Sequence, residues 1–189
     1  MAEVITVFDA PALAHAAAER FVNLANAAIT MRGRFTVALS GGSTPQAMHT
    51  VIAQRFAQSV DWSRVHVFWG DERCVPPDHP DSNYGMARDT LLKFISIPEA
   101  NIHRMHGEYD PSRAAEEYNE MLIAFFGGAP HLDLVFLGMG DDGHTASLFP
   151  HTTALYEPAD RYCVANQVAK LNAWRVTLTA SAINAANNV

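Results

Sequence analysis

Cysteine and lysine are both scarce in this sequence, and each scarcity excludes a class of function. Cysteine occurs only as Cys74 and Cys163, in no spacing that suits a metal, so we expect a reduced, cytoplasmic protein. Lysine occurs only as Lys93 and Lys170, and the formal net charge is −7. This balance argues against nucleic-acid binding, which needs a basic surface. It does not exclude a small anionic ligand, because a pocket depends on its local donors.

Long apolar runs, internal repeats and low-complexity tracts are also absent from the sequence. No apolar segment reaches membrane-spanning length, and no basic region precedes an apolar stretch at the N-terminus, so we expect no membrane association. The 189 residues are enough for one domain, 1–189, with a sizeable core. Oligomeric state is not determined by the sequence, and a monomer is the simplest expectation.

Apolar strands and amphipathic helices alternate along the chain. Strands are predicted at Val4–Val7, Phe35–Leu39, Val65–Trp69, Ile102–Met105, Leu132–Leu137, Tyr162–Val168 and Arg175–Thr179. Helices are predicted at Pro11–Met31, from Pro45 after a Thr44 cap, at Tyr84–Phe94, at Pro111–Phe126 and in a short alanine-rich stretch before Asn187. This order predicts an α/β fold with a mostly parallel sheet covered by helices on both faces.

Polar, glycine-bearing loops follow three of the predicted strands, Phe35–Leu39, Val65–Trp69 and Leu132–Leu137. The carboxyl ends of parallel strands meet at one edge of a sheet, where α/β proteins bind ligands. The sequence therefore predicts a single binding crevice at that edge.

The loop Ser40-Gly41-Gly42-Ser43-Thr44 lies between a strand and a helix. Glycines allow close backbone approach, and a helix N-terminus offers unpaired N–H groups, so the loop suits a phosphate or carboxylate. A tight turn with a good cap is the alternative. The loop is neither a Walker loop nor a nucleophile elbow, because it lacks Gly-Lys-Ser/Thr and has Pro45 where the elbow needs glycine.

The stretch Gly138-Met-Gly-Asp-Asp-Gly143 imitates a dinucleotide fingerprint, but Asp141 and Asp142 would face the pyrophosphate. His144 follows these aspartates directly. A histidine held by a carboxylate can serve as a general base near neutral pH. The alternative is a loop histidine bonded to a backbone carbonyl.

Two further groups, Asp71-Glu72-Arg73 and Arg175, each allow a structural and a functional interpretation. Asp71-Glu72-Arg73 is either a solvated loop or a source of an arginine fork for an anion and an acceptor for sugar hydroxyls. Arg175 is either a strand-end surface residue or a second anion contact. His103 and His106 have no third ligand at a credible spacing, so surface histidines are favoured over a metal site.

Four stretches together resemble one known family. They are SGGSTP at 40–45, WGDERCVPPDHPDSNYGMARDTLL at 69–92, LDLVFLGMGDDGHTASLFP at 132–150 and RVTLTASAINAA at 175–186. They closely resemble the 6-phosphogluconolactonases, in order and over essentially the whole chain. The resemblance implies a doubly wound α/β fold like that of glucosamine-6-phosphate deaminases, and hydrolysis of 6-phosphoglucono-1,5-lactone in the oxidative pentose phosphate pathway. It implies no metal and no organic cofactor.

The resemblance also implies roles for residues at matching positions. His144 would be the general base, with Asp142 beside it, while Asp71 and Arg73 would line the substrate. The phosphate would be held by Ser40, Gly41, Gly42, Ser43 and Thr44, and Arg175 matches an arginine near the substrate. Members of the family continue past the position of Val189, so we expect this chain to lack the family's C-terminal strand and helix.

Two alternatives to the lactonase follow. The related deaminase has a loop resembling G-x-D-G-H-I-A-F-N-E-P, whereas this chain reads GDDGHTASLFP. Ser147-Leu148-Phe149 replaces the deaminase's Phe-Asn-Glu, so the carboxylate that would assist the histidine is absent. A non-catalytic sugar-phosphate sensor would keep the phosphate loop but need no base at His144.

Overall fold

Two three-stranded sheets form the centre of the fold in our computed structural model, which describes residues 3–189. The strands are β1 (Phe35–Leu39), β2 (Val65–Trp69), β3 (Asp71–Arg73), β4 (Leu134–Val135), β5 (Cys163–Val168) and β6 (Ala173–Leu178). The helices are α1 (Ala10–Arg32), α2 (Ser43–Val51), α3 (Asn83–Thr90), α4 (Pro111–Phe126) and α5 (Ala180–Asn184). A π-helical segment, Ile52–Phe56, extends α2.

The first sheet is parallel and has the strand order β2-β1-β4. Phe35 pairs with Val65, and the register continues to Leu39 opposite Trp69. All five residues of β1 are buried. Because alternate side chains of a strand point to opposite faces, both faces of the sheet are covered at β1. The carboxyl ends of the three strands lie at the same edge, and the loops that follow them start there.

The second sheet is antiparallel, with the order β3-β6-β5. Gly70 connects the two sheets. Its N–H donates to the carbonyl of Leu39 in β1, and its carbonyl accepts from the N–H of Leu178 in β6. After Gly70 the chain therefore enters the second sheet as β3 rather than a solvated loop, which places β3 and β6 beside the end of β1.

The helix ends follow local sequence signals. Asp9 caps α1, and the chain leaves this helix at Gly33, which has φ +76°. Asp110 caps α4 by accepting from the N–H groups of Ser112 and Arg113, and Pro111 occupies the first turn, where no intrahelical partner is needed for its nitrogen. The predicted bounds of α1 and α4 are confirmed to within a residue or so.

Several predicted elements differ from the structure. Val4–Val7 is not a strand, because it pairs with no described strand and is largely exposed. Ile102–Met105 contributes only a single bridge, from Ile102 to Val67. Within the predicted strand Leu132–Leu137, the two residues Leu134–Val135 form a strand, β4.

Helix α2 begins two residues earlier than predicted. Gly42, rather than Thr44, precedes the first helical residue, and its φ of +108° explains why a glycine stands there. Pro45 then falls within the first turn, where it removes no intrahelical hydrogen bond.

The sheet prediction was correct only in part. A parallel sheet with helices is present, but β3, β5 and β6 form a separate antiparallel sheet rather than extending the parallel one. The finer description, a doubly wound sheet with helices on both faces, stays a prediction. Among residues 3–189, no helix combines the length and apolarity needed to cross a membrane.

Candidate active site

The loops after β1, β2 and β4 surround one cleft, which has a volume of about 330 Å³. Its lining includes residues 40–45, Asp71 and Arg73, and on the other side Met139, Gly140 and His144. The parallel register of the first sheet brings these groups together although Ser40 and His144 are 104 positions apart in sequence. Asp142 and Arg175 do not line this cleft. Asp142 contacts the cleft residue His144, and Arg175 lies opposite the cleft residue Arg73 in the β3–β6 pair.

The glycine loop presents unpaired donors to the cleft. No side chain caps α2, so the N–H groups of its first turn are left for a ligand or solvent. The hydroxyl of Ser40 is buried and has no hydrogen-bond partner among the described residues. Buried polar atoms normally have partners. An anion placed at this helix N-terminus would supply them.

Gly41 lacks a side chain because Asn83 occupies the space that one would fill. A Cβ built on Gly41 would lie 1.9 Å from Asn83 Oδ1. Asn83 Nδ2 donates in turn to the backbone carbonyl of Asp71 at 2.9 Å and to Asp71 Oδ1 at 3.1 Å. The glycine loop is thus connected to β3 through one buried amide side chain.

Both carboxylate oxygens of Asp71 are occupied by protein donors. Asn83 binds Oδ1, and the hydroxyl of Ser147 donates to Oδ2 at 2.6 Å. Asn166 fixes Ser147 by donating to its backbone carbonyl at 2.8 Å. The structure therefore gives Asp71 a positioning role between the loops, and its predicted contact with sugar hydroxyls stays a prediction.

Glu72 is buried and stabilises the start of α3. Its carboxylate accepts from the N–H groups of Arg73, Asn83 and Tyr84 and from the hydroxyl of Ser82. Burial raises the pKa of Glu72, and these four hydrogen bonds oppose that rise. Glu72 therefore has a structural role and does not belong to a solvated loop.

Arg73 and Arg175 lie opposite each other in the antiparallel pair β3–β6. Arg73 Nη1 donates to the carbonyl of Asp81, while its buried Nε has no partner among the described residues. Neither arginine lies within 4.0 Å of a carboxylate in the described part of the chain. Burial and the neighbouring positive charge of Arg73 lower the pKa of Arg175. Two adjacent guanidinium groups without a counter-ion favour a bound anion.

His144 is held by Asp142, as its position in the sequence suggests. Asp142 Oδ1 lies 2.6 Å from His144 Nδ1, which makes Nδ1 the protonated nitrogen and leaves the lone pair on Nε2. Lys170 Nζ lies 2.5 Å from the other carboxylate oxygen. The hydrogen bond from Lys170 has the largest effect on the pKa of Asp142 and that from His144 the next largest, and both lower it. This carboxylate is therefore ionised near neutral pH. The arrangement suits a general base.

Packing against two residues fixes the ring of His144. Phe149 stacks on it with a centroid distance of 3.9 Å and an interplanar angle of 20°. Gly140 also lies against the ring, and a Cβ added there would be 2.1 Å from His144 Cε1. The ring is therefore oriented by shape as well as by its hydrogen bond.

Sequence reasoning missed four residues that organise the site: Asn83, Ser147, Phe149 and Lys170. None carries a local signal, since each acts on a partner in another loop or on a ring face. His103 was expected at the surface, but it is half-buried and stacks on Phe68 at 4.5 Å. Among the described residues, no group of three or more histidine, cysteine, aspartate or glutamate side chains could hold a metal ion.

Comparison with known proteins identifies relatives of the chain. A family described as glucosamine-6-phosphate isomerases/6-phosphogluconolactonase matches residues 9–189. A 6-phosphogluconolactonase from a Nostoc species is 49% identical over 167 residues, which is 86% of this chain and 67% of that protein. One from a Synechocystis species is 47% identical over the same shares. The chain thus spans about two thirds of the length of these relatives.

Solved structures show the same fold. A 6-phosphogluconolactonase from Trypanosoma cruzi matches with a TM-score of 0.86 and 28% identity, covering 97% of this chain and 77% of that one. A monomeric glucosamine-6-phosphate deaminase matches with a TM-score of 0.80 and 15% identity, covering 98% and 79%. At that identity the second likeness concerns the fold alone.

Proposed function

Because the chain belongs to the glucosamine-6-phosphate isomerase/6-phosphogluconolactonase family, we propose that it hydrolyses 6-phospho-D-glucono-1,5-lactone to 6-phospho-D-gluconate. This reaction is the second step of the oxidative pentose phosphate pathway. The observation that carries the proposal is one cleft lined by both the unpaired donors of the glycine loop and the Asp142-bound imidazole of His144.

In this proposal His144 activates water. Nε2 takes a proton from a water molecule as the oxygen attacks the lactone carbonyl carbon, C1. The bond from C1 to the ring oxygen then breaks, and the ring oxygen receives the proton from the imidazolium and becomes a hydroxyl. A lactone is an activated ester, so no covalent nucleophile is needed. Asp142 keeps Nδ1 protonated and stabilises the imidazolium.

Substrate binding is proposed to rest on the phosphate. Ser40–Thr44 would hold it at the N-terminus of α2, with Arg73 and Arg175 as nearby cations. Binding at this remote group would place C1 against His144, which raises the chance of reaction in each encounter. Arg73 or nearby N–H groups would stabilise the oxyanion that forms at C1.

The test is a coupled assay in which oxidation of glucose 6-phosphate supplies the lactone and its loss is followed above the spontaneous rate. We expect clear acceleration, and about 100-fold or greater loss of kcat in His144→Ala. His15→Ala, at a partly exposed position of α1 outside the cleft, is the matched control and should behave as the unmodified protein. Near-normal turnover by His144→Ala would remove His144 from the base role.

The same assay separates the alternatives. Glucono-1,5-lactone without phosphate should be a poor substrate if the glycine loop binds the phosphate. A sugar-phosphate sensor would bind the product without accelerating lactone loss. Release of ammonia from glucosamine 6-phosphate would instead indicate the deaminase. The cytoplasmic location and the monomeric state stay predictions.

A further inference from the structure

Lys170 lies on the turn between β5 and β6, outside the loops that line the cleft, yet its ammonium group contacts the site. Nζ is 2.5 Å from Asp142 Oδ2, while Asp142 Oδ1 is bound to His144. One carboxylate therefore joins a lysine from the second sheet to the imidazole at the end of the first. Lys170 Nζ is also 6.0 Å from the ring centroid of Phe149, which stacks on that imidazole.

We propose that Lys170 is a positioning residue that acts through Asp142 to fix the orientation and set the proton affinity of His144. This role rests on the proposed function of His144 as the base. Lys170 does not line the cleft, so it is not assigned a contact with substrate.

The direction of the effect follows from the charges. An ionised carboxylate beside an imidazole favours the protonated ring, and a cation on the far oxygen weakens that effect. The charged groups that face His144 are Asp142 from its own loop, Lys170 behind Asp142, and Asp71 and Arg73 across the cleft. Of these four groups, Lys170 bears on His144 through a shared hydrogen-bonded carboxylate, that of Asp142. Replacing Lys170 by a neutral residue is therefore expected to strengthen the interaction of Asp142 with the protonated ring.

The lysine also restricts Asp142. The loop carrying Asp142 and His144 contains Gly143 at φ +81° and Ala146 at φ +49°, both in the left-handed region. The turn carrying Lys170 ends at Asn172, with φ +46°. The Lys170–Asp142 contact joins these two turns. Loss of the lysine should leave Asp142 freer to rotate and His144 less well oriented.

The experiment is an NMR titration of the His144 ring in the free, full chain. We expect Lys170→Met to raise the titration midpoint of His144 by about half a pH unit, and Asp142→Asn to lower it by about one unit. Lys170→Arg should restore the unmodified midpoint. Lys93→Met is the matched control, since Lys93 pairs with Asp89 on the surface and its loss should leave the midpoint unchanged.

A double variant tests the route. If Lys170 acts through Asp142, then Lys170→Met should shift the midpoint far less when Asp142→Asn is already present. A purely structural role would lower thermal stability without moving the midpoint. No shift in Lys170→Met, or a shift in the same direction as Asp142→Asn, would overturn the proposal.

Kinetics then connect the titration to turnover. A midpoint raised by half a unit predicts about threefold lower kcat/KM on the acid limb of the pH profile. If the titration shifts but the protein does not hydrolyse the lactone, the proposed function fails and the role of Lys170 stands. If the lactone is hydrolysed but the titration does not move, the role of Lys170 fails alone.

Discussion

Gly140 has no side chain at the place where the ring of His144 needs space. We expect Gly140→Ala to displace the ring and reduce kcat by about tenfold or more if His144 is the base, because a small displacement of a catalytic group is costly. Global stability should change much less, since the loop is partly exposed. The measurement is kcat for lactone hydrolysis together with thermal unfolding.

Gly138→Ala is the control for this substitution. A Cβ at Gly138 would meet nothing within 4 Å, so this variant should lose much less activity. Equal losses in the two variants would show that flexibility of the loop, rather than space for the imidazole, is what glycine provides there.

The residues proposed to carry the chemistry have local sequence patterns, whereas those that position them have none. Asp142 and His144 are two positions apart, so their pairing is a local pattern. Ser147 and Asp71 are 76 positions apart, and only the packing of β6 behind the loops brings them within 2.6 Å. A serine or asparagine that bonds a distant carboxylate looks like any other loop residue in a sequence.

Among the elements, α1, β1 and the last residues of the chain are joined by Asp133. Its buried carboxylate accepts from the backbone N–H of Thr36 at 2.9 Å, from the Thr36 hydroxyl at 3.1 Å and from the side chains of Arg32 and Asn187. We expect Asp133→Ala to reduce the free energy of unfolding by about 3 kcal/mol, because it leaves buried donors unpaired. Urea unfolding provides the measurement.

Asp110→Ala is the comparison for the loss of unfolding free energy in Asp133→Ala. Asp110 is exposed and caps α4, so its loss should cost about 1 kcal/mol, as is usual for a helix cap. If Asp133→Ala were no worse than Asp110→Ala, the network around Asp133 would not be important for joining the three elements.

Elements with strong local signals were predicted well, and those that depend on a partner were not. β1 and β2 are mostly apolar, and the predicted bounds of both strands agree with the structure. Val4–Val7 has a similar composition, but no neighbouring strand pairs with it. Asp71–Arg73 was expected to be a loop because it is charged, and it is a strand because β6 offers backbone hydrogen bonds to it. Strand pairing is a property of two segments, which one segment cannot reveal.

Buried histidines make the free energy of unfolding of the whole molecule depend on pH. His49 is fully buried, and burial lowers its pKa to about 4. Thr90 donates its hydroxyl proton to the carbonyl of Met86, so His49 Nδ1 donates to Thr90. The buried Nε2 has no partner in the part of the chain that the structure describes. Half-buried His103 is similar, with its pKa lowered to about 4 by burial and by His66.

The sign of the pH dependence follows from proton uptake. Between pH 6.5 and about 4 the unfolded state binds a proton at position 49 that the folded state does not, so stability falls as the pH falls. For His49 this loss amounts to about 3 kcal/mol across that range. We expect His49→Phe to flatten the fall while changing stability at pH 7 little, as measured by urea unfolding at several pH values.

His15→Phe is the matched control, since His15 on α1 is partly exposed rather than fully buried. It should leave the slope unchanged. An unchanged slope in His49→Phe would mean that acid sensitivity arises elsewhere, for example at His103.

We expect anion binding at the facing pair Arg73 and Arg175 to affect the stability of the folded protein. Without an anion, these two guanidinium groups repel each other at the boundary of the second sheet. A sugar phosphate bound there would stabilise the folded state by about 2.7 kcal/mol at a hundredfold excess over its Kd. Susceptibility to proteases, and with it abundance, would then follow the concentration of the metabolite that the protein consumes or releases.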